Sequence, residues 1–162
     1  MPSFARLIST LSDMINKQIS FFVVSLIFLL SVLLSASVFY RYVLNDSLYW
    51  SGEVARYMLV YLVFLGSTMA HKHKAHIRID FIFTYLSKKN RKNIEILIAL
   101  FFIFFWILIL LGSVKLFPLF MMQRTATLEI PFAMPFAAIP LSAVIWLLYC
   151  IDDILHLTVQ KK

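Results

Sequence analysis

The chain has 162 residues, of which 62% are apolar and 16% aromatic, against roughly 45–50% apolar in a soluble globular protein. That balance excludes an ordinary soluble domain and predicts a membrane protein. The net charge of +7 does not point to nucleic acid, because the basic residues bunch at the ends of apolar runs, where anionic phospholipid headgroups are the expected partners. A lone Cys150 allows no internal disulfide, and the scattered Gly52, Gly66 and Gly112 make no phosphate-cradling loop, which excludes ATP hydrolysis.

Residues 1–17 place Phe4, Leu7, Ile8, Leu11, Met14 and Ile15 at spacings of three and four, with Arg6, Ser9, Ser12, Asp13 and Lys17 elsewhere on the wheel. This predicts an amphipathic helix lying flat in the inner headgroup layer, a frayed tail being the plain alternative. Residues 19–40 carry no charge and, as a helix of about 33 Å, predict the first span. Ser35-Ala36-Ser37 looks faintly like a cleavage site, but the run exceeds the ~7–15 residues of a signal-peptide core. Ser31 and Ser35 suggest one face packed closely on another helix.

The second span must reach back from the uncharged Met58–Ala70 to Trp50, giving a helix over 50–70 of about 31 Å. That start carries Glu53 and Arg56 roughly 5 and 9 Å inside the outer end. Three residues apart on one face, they either pair with each other or form a docking point, while Trp50 and Tyr57 fit the interfacial aromatic belt.

The basic stretch 71–92 holds seven of the chain's fifteen Lys and Arg, which predicts a cytoplasmic loop. Within it Asp80 is placed to cap a short interfacial helix over 81–92 bearing Phe81, Ile82, Tyr85 and Leu86. The third span covers 94–114. Residues 115–132 read as an outer loop in which Pro118 and Pro131, with Pro135 just beyond, are expected to break helix. The fourth span is 133–151, with a kink expected at Pro140 about two turns in. The fold class is all-α membrane protein: a single membrane domain over 1–162, with four transmembrane helices, amphipathic interfacial helices and both termini cytoplasmic. That topology puts eleven Lys and Arg inside against four outside.

The chemistry the chain lacks is informative. His71, His73 and His76 are interleaved with Lys72, Lys74 and Arg78, which would repel a metal ion. No span carries a histidine for haem or a carboxylate at mid-depth, and a sodium- or proton-coupled carrier needs buried polar groups there. No cofactor and no enzyme activity are expected. A scaffold or accessory subunit is the better reading; an autonomous four-helix exporter, which wants a deep carboxylate in its first span, is the alternative.

The runs Phe39-Tyr-Arg-Tyr-Val-Leu-Asn45, Trp50-Ser-Gly-Glu53, Ala55-Arg56-Tyr57, Val63-Phe64-Leu65-Gly66 and Ala75-His76-Ile77-Arg78-Ile79-Asp80 resemble the small, DctQ-like membrane subunit of tripartite ATP-independent periplasmic (TRAP) transporters. Arg124-Thr125, Leu128, Ile130-Pro131 and Ala138-Ile139-Pro140 are similar to the same family's connection between its third and fourth helices. The resemblance covers about residues 19–155. It implies a bacterial inner-membrane location and two partners: a large membrane subunit, here a separate polypeptide, and a periplasmic binding protein that delivers an organic acid, with sialic acid or a C4-dicarboxylate expected. Sodium would bind the large subunit and not this chain. Trp50, Glu53 and Arg56, then Arg124 and Glu129, are the expected outer contacts; His76, Arg78 and Asp80 would position the inner loop. Where the family often has an acid this chain has Gly52, which leaves Glu53 as the one carboxylate there.

Overall fold

The computed structural model describes residues 3–72 and 88–159. The basic stretch 73–87, with His76, Arg78, Asp80 and the first part of the interfacial helix expected over 81–92, lies outside the described residues.

Helix α1 runs unbroken through Ser3–Tyr42, 40 residues or about 60 Å, roughly twice a hydrocarbon core. The expected division into a flat helix over 1–17 and a span over 19–40 is therefore corrected to one rod. No glycine or proline interrupts it, and Lys17 and Gln18 at the expected joint are good helix formers. At the end that the charge count expects to face outward, here called outer, Asn45 adopts a left-handed φ of 52°, a conformation asparagine tolerates. The chain then turns into α2, Ser51–Lys72, and the two helices are pinned there by Ser37 Oγ and Ser51 Oγ at 2.8 Å. At the inner end Lys72 Nζ donates to Ser12 Oγ at 2.7 Å. Between these two fastenings α1 covers about 37 Å and α2 about 31 Å, a difference that the long Lys72 side chain can span.

Helix α3 is Lys88–Met122 and contains Pro118. The expectation that Pro118 ends the helix is corrected. Proline removes one donor and one intrahelical bond, and so close to the C-terminus the final turn survives that loss. A short helix α4, Ala133–Phe136, leads into α5, Ala138–Val159. The kink expected two turns into the fourth span is likewise corrected. The step falls at Ala137, and Pro140 is the third residue of α5, in a first turn where a missing N–H costs little.

Helix α5 is central and packs on α1, α2 and α3, whereas α3 leans chiefly on α5 and α4. Ala138, Ser142 and Ala143 on α5 are fully buried, and such small side chains let neighbouring helices approach closely. Below them Trp146 stacks on Trp106 and Phe102 of α3, with centroids 5.3 and 5.4 Å apart, and its indole N–H donates to Ser67 Oγ of α2 at 3.1 Å. One residue thus joins three helices. Trp146→Ala is expected to cost about 3–5 kcal/mol in an SDS unfolding titration, whereas Phe104→Ala, on the outward face of α3, should leave the midpoint almost unmoved.

The outward faces of α1 and α3 are apolar: Phe21, Phe28, Phe101 and Phe104 are all exposed. Among the described residues four stretches, Leu7–Tyr42, Ser51–Lys72, Ile94–Met122 and Ala133–Leu155, are long and apolar enough to cross a membrane. Lipid is the solvent in which such exposure is stable.

Candidate functional site

Two polar knots, one at each end of α2, carry most of the buried polar chemistry among the described residues. The outer knot forms where the α3–α4 connection folds back as a tight hairpin. Thr125 N–H donates to the Ile130 carbonyl and Phe132 N–H to the Gln123 carbonyl, both at 2.9 Å, and Ile130 N–H reaches Thr125 Oγ1 at 3.2 Å. Glu129 at its tip has a left-handed φ of 53°, and Arg124 holds its carbonyl at 3.0 Å.

Glu53 fastens this hairpin to the start of α2. It is 3% exposed, and its Oε2 accepts the backbone N–H groups of Thr127 at 2.8 Å and Leu128 at 3.2 Å. Its Oε1 accepts the Tyr57 hydroxyl. A carboxylate in the first turn of a helix is favourably placed against the helix dipole, and three donors replace the water it loses. The ion pair with Arg56 that the spacing allows is absent from the described ion pairs: Arg56 is exposed, while Glu53 faces inward. Trp50 is half-buried, and its carbonyl caps α2 by accepting the N–H groups of Glu53 and Val54 at 3.1 and 3.2 Å. Arg124 and Glu129 are exposed on the hairpin. Of the expected outer contacts, then, Arg56, Arg124 and Glu129 face outward and Glu53 holds the loop from within.

The inner knot lies about 28 Å away, nineteen residues along α2. Lys72 Nζ is 2.8 Å from Asp152 Oδ2 of α5 and 3.0 Å from Asp13 Oδ1 of α1, and it also bonds Ser12. It stands over the Tyr149 ring at 5.6 Å. Beside it His71 Nε2 is 3.0 Å from Asp153 Oδ2, and its ring lies 4.3 Å from Trp146. Sequence reasoning did not assemble this cluster. Its signal was nevertheless present: acids at 13 and 152 bordering apolar helices, and one lysine closing α2.

Between the knots polarity is spent locally. Ser25, Ser31, Thr68 and Ser113 each donate to a carbonyl of their own helix three or four residues back. No Asp, Glu, Lys or Arg lies between Arg56 and Lys72 on α2, between Glu95 and Lys115 on α3, or before Asp152 on α5.

The profile of the family described as tripartite ATP-independent periplasmic transporters, DctQ component, matches residues 30–160. The chain belongs to the DctQ family. Relatives include the ectoine TRAP transporter small permease protein TeaB of Halomonas elongata, 30% identical over 59% of this chain and 49% of TeaB. The sialic acid TRAP transporter small permease protein SiaQ of Vibrio cholerae is 31% identical over 52% of this chain and 49% of SiaQ. The C4-dicarboxylate TRAP transporter small permease protein DctQ of Vibrio cholerae is 27% identical over 59% of this chain and 41% of that protein. The chain spans about half the length of these relatives or less. A DctQ-family protein is a transporter component and not an enzyme, and with four membrane-spanning helices this one is a multi-pass protein of the bacterial inner membrane.

Proposed function

We propose that this small permease subunit braces the large membrane subunit of a sodium-coupled TRAP transporter and presents its outer hairpin to the periplasmic binding protein. The observation that carries the reading is the double knot, which ties α1, α2 and α5 at the inner face and α2 to the hairpin at the outer face. A chain fastened at both faces, with no charged group at its waist, suits a stationary support for a moving partner, and sodium would bind that partner. An ion-coupled carrier needs polar groups at mid-depth, and the same want of charge gives the autonomous exporter no support. The eleven-to-four charge bias orients both termini and the 71–92 loop to the cytoplasm. Exposed Arg56, Arg124 and Glu129, beside half-buried Trp50, form the outer contact, with His76, Arg78 and Asp80 positioning the inner loop. The cargo is an organic acid, of the sialic acid or C4-dicarboxylate kind.

The experiment is reconstitution in liposomes with the large subunit, the binding protein and an inward sodium gradient. Uptake is expected to require all three proteins, and this chain alone should move nothing. Accumulation of solute by the chain unaided, or full uptake in its absence, would overturn the proposal.

A further inference from the structure

We draw no further inference here: the strongest candidate, the acid-rich cluster at the inner ends of α1, α2 and α5 where His71 and Lys72 meet Asp13, Asp152 and Asp153, belongs to the inner knot already described, in which Lys72 itself supplies the cation that the buried Asp152 carboxylate needs.

Discussion

Lys72→Met is expected to destabilise the subunit by about 3–5 kcal/mol, because it leaves Asp152 buried without its cation. The Asp152 side chain is 5% exposed and that of Lys72 is 20% exposed, so water replaces little of what is lost. The same change frees Ser12 and Asp13 and so unfastens the inner third of α1 from α2 and α5. Asp13→Asn should cost under about 1 kcal/mol, since that carboxylate is 66% exposed and screened by solvent. Combining Lys72→Met with Asp152→Leu should recover most of the loss, because removing both charges removes the desolvation problem as well as the attraction. SDS unfolding of the four proteins separates these cases. A Lys72→Met protein as stable as the parent would show that the inner knot contributes nothing.

Glu53→Ala should free the outer hairpin while leaving the helices in place. Two backbone donors, Thr127 and Leu128, and the Tyr57 hydroxyl lose their acceptor together. Local opening of the 123–132 segment then becomes frequent, and trypsin cleavage at Arg124 is expected to rise roughly tenfold, since proteolysis follows the population of the opened state. Glu53→Asp, one methylene shorter, should restore little of the protection. In the reconstituted transporter, uptake should fall while co-purification with the large subunit persists, because under the proposed function the damage is confined to the surface offered to the binding protein. An unaltered trypsin pattern would remove Glu53 from its role as latch, and intact uptake with a loosened hairpin would remove the hairpin from docking.

The spans were legible because membrane burial is written in composition: twenty or so uncharged residues are read the same way whatever packs beside them. The ends of those spans were not. Pro118 and Pro140 carry the same local signal, yet one lies inside the last turns of α3 and the other in the first turn of α5, and the surrounding backbone bonds decide which outcome follows. The break expected near residue 18 had no local cause. It was inferred from amphipathicity, whose polar members Ser12 and Asp13 turn out to serve Lys72. Glu53 was legible as a special residue, since a carboxylate so near an apolar span demands a partner. Its partners were not, because spacing along one helix offered Arg56 and the aromatic-belt reading of Tyr57 hid one donor, whereas the two backbone donors come from residues more than seventy positions away.

What the sequence by itself determined is that this chain crosses the membrane four times, concentrates its positive charge toward one face and keeps its waist free of Asp, Glu, Lys and Arg. Those properties follow from the transfer free energies of individual side chains and need no knowledge of neighbours. The tertiary structure alone decided that Asp13, Lys72 and Asp152 meet, that Glu53 holds a distant hairpin and that α5 is the helix the others lean on. Each of these depends on bringing together groups about forty to eighty residues apart, a relation that helix packing creates and local periodicity does not encode.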